Sequence, residues 1–289
     1  MRLRRTMLFI PGNNPGMLQN GGVFGADSVI LDLEDAVAPQ EKDAARLLVA
    51  QALKTVEYGN SEKVVRINPL DTFGAEDIQA IVPCQPDVLL VPKVQSVQDI
   101  EEVTALVAAA EIAGQQPVQL IALLETPQGI AQAYEIAQTK GRLVALALGA
   151  EDYTAGLGAT RTKEGREIFT ARTLVINAAA AAGIQSLDTP FTDANDETGL
   201  YQDTLTGKEL GFKGKLAINP RQIDLIHSVF NPTPATVEWA QRVIEAIKKA
   251  AAEGSGVASL QGKMVDAPIV ARAESILQLA QFIGMEGLE

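Results

Sequence analysis

Gln119-Leu-Ile-Ala-Leu-Leu-Glu125 runs into the breaker Thr126-Pro-Gln-Gly129, and Leu143-Val-Ala-Leu-Ala-Leu-Gly-Ala150 runs into Glu151-Asp152. Both runs are short, apolar and unalternating, as strands covered on both faces are. Each stops on an acid where the chain turns, so the acid points into whatever lies beyond the strand's carboxyl end. Glu125 and Asp152 together make a hard, oxygen-only site suited to Mg²⁺, which takes few protein ligands and leaves room for substrate oxygens. Taken singly, either acid also suits the start of a helix. The pair favours the site.

Outward from this stretch the pattern repeats. Strand runs are read at Met7–Ile10, Ser28–Leu33, Lys63–Asn68, Asp87–Val91, Val118–Leu124, Leu143–Leu148, Gly183–Leu187 and Gly214–Ile218. Amphipathic stretches lie between them, among them Gln40–Lys54, Val97–Ala113, Ile130–Thr139 and Glu167–Ala182. Eight strands alternating with helices predict an α/β fold, a (β/α)8 TIM barrel with extra C-terminal helices. The barrel domain is placed at 1–230. Residues 231–289 form a helical extension, expected to pack on the barrel mouth or a neighbouring subunit. Within it Thr236–Ala252 and Pro268–Phe282 read as helices, and Gly254–Gly262 reads as a flexible hinge.

Composition narrows the function. The chain of 289 residues is 47% hydrophobic, 21% charged and 4% aromatic, which suits a large, closely packed α/β core. A net charge of −12 argues against nucleic acid and anionic membrane as partners. The single Cys84 forms no internal disulfide, and the apolar stretch after basic Met1–Thr6 is broken by Pro11-Gly12-Asn13. These features predict a cytoplasmic chain with neither signal peptide nor membrane span. His227 is the only histidine, so zinc clusters and a Ser-His-Asp triad are out of reach.

In a barrel of this kind the site forms where strands end. Those ends carry Pro11-Gly12-Asn13, Glu34-Asp35, Arg66-Ile67-Asn68, Lys93, Glu125, Glu151-Asp152, Asp188 and Asn219. Arg66 sits inside an apolar strand and needs a carboxylate partner. Two partners are open: a substrate carboxylate, or Glu34 or Asp35 of the protein. Lys93 at a strand end permits a Schiff base, and it equally permits pairing with Glu34 or a substrate charge.

The segments Leu8–Asn13, Asp32–Val37, Arg66–Asn68, Leu124–Gly129 and Gly149–Tyr153 resemble the citrate lyase β subunits of the HpcH/HpaI aldolase group. That group also holds malyl-, citramalyl- and methylmalyl-thioester lyases. The resemblance covers essentially the whole chain with its motifs in order. Asn14-Pro15, Asp35–Ala38 and Ala217–Arg221 lean to the citrate lyase branch.

The resemblance implies a lyase that cleaves a citryl thioester to oxaloacetate and an acetyl thioester. By it Arg66 grips a substrate carboxylate, and Glu125 and Asp152 hold Mg²⁺, which also chelates the oxo acid; Lys93 is a further substrate-binding candidate. Glu34 or Asp35 positions water or deprotonates the hydroxyl. The segment Met264–Pro268 matches one that supplies an acid to the adjacent subunit in the related thioester lyases, which makes Asp266 a candidate proton donor; an N-cap for the helix at Pro268 is the other reading. Implied partners are an acyl-transferring α subunit, a γ subunit carrying the thioester on a pantetheine arm, and further copies of the chain in a trimer or hexamer. Two rivals stand beside this reading. A coenzyme A-dependent citramalyl- or malyl-CoA lyase would draw on Lys213, Lys215 and Arg221 for its nucleotide. A non-catalytic scaffold subunit would have no need of the acids at the strand ends.

Overall fold

The computed structural model describes residues 2–252 and 254–285. The chain divides into two compact units, residues 1–227 and 228–289. The first is a closed barrel of eight parallel strands in sequence order. They are β1 (Thr6–Pro11), β2 (Ser28–Asp32), β3 (Glu62–Arg66), β4 (Val88–Val91), β5 (Gln119–Leu124), β6 (Leu143–Leu148), β7 (Gln185–Asp188) and β8 (Gly214–Ala217). Pairing of Thr6, Met7 and Leu8 with Lys215, Leu216 and Ala217 closes the ring.

Alternation along the strands decides what enters the barrel. Met7, Ile30, Val64, Val88, Leu90, Ile121, Leu123, Ala145, Ala147, Leu187 and Leu216 pack into one interior cluster. The next residue of the same parity on each strand therefore faces the mouth. On β2, β3 and the end of β5 these are Asp32, Arg66 and Glu125; on β6 and β7 they are Gly149 and Thr189. Charge thus replaces hydrocarbon within one pleat at the carboxyl end; at the amino end the inward-parity Glu62 of β3 is neutralised by the buried Arg4.

Helices between the strands follow local chemistry. Ser96 and Asp99 form a reciprocal capping box at the start of Val97–Ala110, and Gly183 (φ 72°) ends Phe169–Ala182 in the left-handed conformation. The stretch expected to be helical through Ala113 stops at Ala110. Glu111 turns extended, and its carboxylate takes both Arg142 and the Val118 N–H.

In the second unit the helices Pro234–Ala252 and Ala267–Phe282 enclose a small core of Ala240, Val243, Val265 and Ala273. The segment read as a flexible hinge is partly a hairpin. Strands β9 (Ala258–Leu260) and β10 (Lys263–Val265) pair antiparallel. Gln261 (φ 53°) and Gly262 (φ 76°) make the two-residue turn with positive φ at both positions that strand twist favours.

Candidate active site

The mouth of the barrel holds a cavity of about 450 Å³, and Phe9, Asp32, Arg66, Glu125, Gly149 and Thr189 are among its walls. Every one of these has the inward parity described above. The base of the cavity is apolar, and its rim is a set of charges held close together.

Arg66 is the centre of that set. Its strand neighbour in register is Asp32. The Arg66 Nε and Nη2 groups donate to Asp32 Oδ1 and Oδ2 at 2.6 Å each, and the guanidinium lies 4.9 Å from the centre of the Phe9 ring. One edge of the guanidinium is therefore committed to Asp32. Its Nη1 lies 2.8 Å from Glu34 Oε2 and 3.3 Å from Asp35 Oδ2. Burial disfavours the Arg66 charge, but the bonds and charge of Asp32, then Glu34 and Asp35, more than restore it and lift its pKa further.

Glu34 is 4% exposed, and both of its side-chain oxygens are buried without a hydrogen bond. The contact to Arg66 is close, yet off the hydrogen-bonding direction. Burial pushes the Glu34 pKa up to about 7, with Arg66 and Lys93 opposing and Asp35 and Asp32 adding to the rise. Its backbone is clamped by a residue the sequence reading passed over: the buried Lys42 Nζ donates to Leu33 O at 2.7 Å and Glu34 O at 2.6 Å. Asp35, by contrast, has a side chain 61% exposed.

Glu125 Oε1 accepts the backbone N–H of Lys93 at 2.8 Å. Burial raises the Glu125 pKa to about 8, and the charges of Glu34 and Asp152 add to this against the Lys93 bond. Lys93 takes φ 52°, a left-handed conformation uncommon for a residue with a side chain. Its Nζ lies 3.5 Å from Glu34 Oε1 and 3.8 Å from Asp152 Oδ2. Burial favours the neutral amine, but the carboxylates of Glu34, Asp152, Asp35 and Glu125 together raise its pKa. A lysine kept charged in this way is a poor Schiff-base nucleophile.

Asp152 is the third residue of the helix Ala150–Leu157, and its side chain is half exposed. Lys93 thus links Glu34, Asp152 and, through its backbone, Glu125. A single residue gathers three carboxylates, two by its ammonium group and one by its backbone N–H. Among the described residues no three carboxylate, imidazole or thiolate side chains converge as a closed metal cage. The donor set is oxygen only, with a buried, unbonded carboxylate at Glu34 and a proton-hungry one at Glu125. Those features fit a hard divalent cation that takes two protein carboxylates and keeps its other positions for water and substrate oxygens.

The model of the HpcH/HpaI aldolase/citrate lyase family matches residues 5–220. The chain belongs to this family. It is 48% identical over 283 residues to the citrate lyase subunit beta of Leuconostoc mesenteroides subsp. cremoris, spanning 96% of this chain and 94% of that one. Among solved structures it resembles the protein CitE of Mycobacterium tuberculosis in complex with magnesium, acetoacetate and coenzyme A. The TM-score is 0.80 at 30% identity, over 97% of this chain and 100% of that one. It also resembles the M. tuberculosis citrate lyase beta subunit complexed with oxaloacetate and magnesium. There the TM-score is 0.68 at 32% identity, over 80% and 100% of the two chains.

Other residues singled out in this family member lie elsewhere. Asp188 and Lys215 have the outward parity of β7 and β8. They are 1% and 0% exposed and form a closed charge cluster with Arg172 and Asp203 at bonds of 2.6–3.0 Å. Neither side chain faces the mouth, so Lys215 is unavailable to a nucleotide. Asn68 is 2% exposed and braces the Leu33 carbonyl and Asp77. Asn219 caps a single helical turn at Arg221 and Gln222; Glu151, although it lines the cavity, is paired with Arg161 at 3.0 Å. Asp266, in the second unit, caps the helix Ala267–Phe282 and accepts from Ile269 N at 3.4 Å.

Proposed function

We propose that the chain is a Mg²⁺-dependent carbon–carbon lyase, the β subunit of a citrate lyase. It cleaves a citryl thioester into oxaloacetate and an acetyl thioester. The observation that carries the reading is the meeting of Glu34, Arg66, Lys93, Glu125 and Asp152 at one barrel mouth in a chain 48% identical to a citrate lyase subunit beta.

Glu125 and Asp152 would hold the metal. Bound there, Mg²⁺ supplies Lewis acidity that favours loss of the proton from a substrate hydroxyl and offsets developing negative charge. The protein's own groups do the rest. With its Nε and Nη2 bonded to Asp32, Arg66 would turn its outer edge to a substrate carboxylate that displaces the exposed Asp35 from Nη1. Glu34 is the acid we assign as base: buried, unbonded and with a pKa of about 7, it is matched to taking a hydroxyl proton near neutral pH. Asp35 is better suited to shaping the field at the rim. As the carbon–carbon bond breaks, electrons pass to the thioester carbonyl, and an acid must protonate the new enolate carbon. Asp266, supplied by an adjacent copy of the chain in a homo-oligomer, is the donor proposed here.

The reading further proposes an α subunit that transfers the acyl group, a γ subunit that carries it, and a cytoplasmic location. Among the described residues no helix is long and apolar enough to cross a membrane. A coenzyme A-dependent citramalyl- or malyl-thioester lyase would share the same core residues. The two readings are separated by presenting citryl, citramalyl and malyl thioesters on both a carrier protein and coenzyme A. The proposal expects oxaloacetate from the carrier-bound citryl thioester at the highest kcat/KM. Pyruvate or glyoxylate from the other thioesters at a higher value would overturn it.

A further inference from the structure

The helix that carries Asp152 begins without a cap of its own. Its N-cap position is Gly149, which has no side chain to bond the first free N–H groups. Nor can a side chain stand there without moving Glu125: a Cβ at position 149 would lie 2.5 Å from Glu125 Cβ and 2.6 Å from Glu125 Oε2. Space for one carboxylate at the mouth thus removes the cap from the helix that presents the other.

The missing acceptor comes from the next strand. Thr189, wholly buried just beyond β7, receives the Ala150 N–H on its Oγ1 at 3.0 Å. Its carbonyl is gripped in turn by Lys215 Nζ at 2.7 Å. Lys215 also bonds Asp188 at 3.0 Å and Asp203 at 2.6 Å, and Arg172 bridges the same two acids. Two cations and two anions therefore neutralise one another in a place from which water is excluded. An arrangement with that desolvation cost is a poor source of stability compared with apolar packing, but it holds geometry tightly.

We propose that Thr189 is a positioning residue for the metal site: its hydroxyl sets the start of the helix Ala150–Leu157, and so the place of Asp152 opposite Glu125, while Lys215 fixes Thr189. This rests on the reading of Glu125 and Asp152 as metal ligands.

The test compares the parent with Thr189→Val, which keeps the shape and loses the acceptor, and Thr189→Ser, which keeps the acceptor. Mn²⁺ affinity is measured on the substrate-free protein by electron paramagnetic resonance, beside amide exchange of residues 149–157. Thr189→Val is expected to weaken Mn²⁺ binding about tenfold and to speed exchange at the helix start. Thr189→Ser should stay within about twofold of the parent in both. Unchanged Mn²⁺ affinity in Thr189→Val, with faster exchange or a lower melting temperature alone, would overturn the proposal and leave Thr189 a purely structural cap. Equal loss in Thr189→Ser would overturn it as well. A parent that binds no Mn²⁺ would sink the metal reading itself, and this inference with it; that outcome is distinct from a parent that binds while the Val variant binds equally.

Discussion

Arg66 shows how one side chain can be both structural and functional. Two of its three nitrogens are bonded to Asp32, so that bond aims the outer edge, whose Nη1 donates to the exposed Asp35. Arg66→Lys keeps the charge but not the fork, and is expected to lower kcat/KM at least about 10²-fold. Asp32→Asn leaves a buried guanidinium short of charge. It should cost about 3 kcal/mol in denaturant unfolding and raise the KM for the oxo acid. An Asp32→Asn variant with parental KM would mean that Asp32 merely neutralises Arg66. Arg66 is legible in the sequence as a lone cation in an apolar strand, and Glu34 and Asp35 do face it, but the sequence does not reveal its bidentate partner, Asp32. Glu34 and Asp35 stood out as an acidic pair after the strand, whereas Asp32 is hidden inside the run Val-Ile-Leu-Asp. Parity would have found it, because Asp32 is two residues beyond the interior Ile30.

Elements add constraints that single residues do not show. Gly149 lies on no strained dihedral, yet it is required because Glu125 fills the space where a side chain would go. Gly149→Ala should therefore displace Glu125 and lower the cleavage rate about 10²-fold, with circular dichroism unchanged. The charge cluster behind β7 and β8 predicts a different outcome. Lys215→Met strands two buried aspartates beside Arg172 alone, and unfolding free energy should fall by about 3–5 kcal/mol. The alternation of apolar runs made all eight strands readable, but not their faces. Asp188 reads as a site residue because it ends a strand, and Lys215 as a nucleotide contact in the coenzyme A-dependent rival; their odd parity relative to Leu187 and Leu216 sends both outwards. The hairpin of β9 and β10 was obscured because its three-residue strands are too short for a period-two pattern to stand out among Gly and Ser.

For the whole molecule, acids gathered at one mouth tie stability to pH and metal. Glu34 and Glu125 have pKa values of about 7 and about 8 against an ordinary 4.5. The unfolded chain releases these protons at lower pH than the folded one, so the metal-free protein should lose stability as pH rises from about 4.5 to about 8. Scanning calorimetry at pH 5 and pH 8 checks this. Mg²⁺ should raise Tm at pH 8 by more than at pH 5, and metal-free Glu125→Gln should melt at least about 2 °C above the parent at pH 8. The assignment of Asp266 to a neighbouring barrel has its own check. In verified mixed oligomers of Asp266→Asn and Arg66→Ala, some activity should return, because one mixed interface then carries both intact residues; no return would leave Asp266 as the cap of its own helix. The barrel class is readable from the alternation of strand and helix runs, and the acids proposed for the metal stand at or just after strand ends. The clamps at the mouth, Lys42 on Glu34, Thr189 on Ala150 and the Lys93 backbone on Glu125, are not readable, because each acts through main-chain bonds that leave no residue pattern. Everything proposed for the mouth depends on a divalent cation held by Glu125 and Asp152. The deciding measurement is the rate of oxaloacetate release from a citryl thioester, with Mg²⁺ and with excess EDTA, for the parent, Glu125→Gln and Asp152→Asn. The account predicts release by the parent with Mg²⁺ alone, and a loss of at least about 10³-fold on chelation or in either variant. A full rate in EDTA, with product trapped on Lys93 by borohydride, would contradict it.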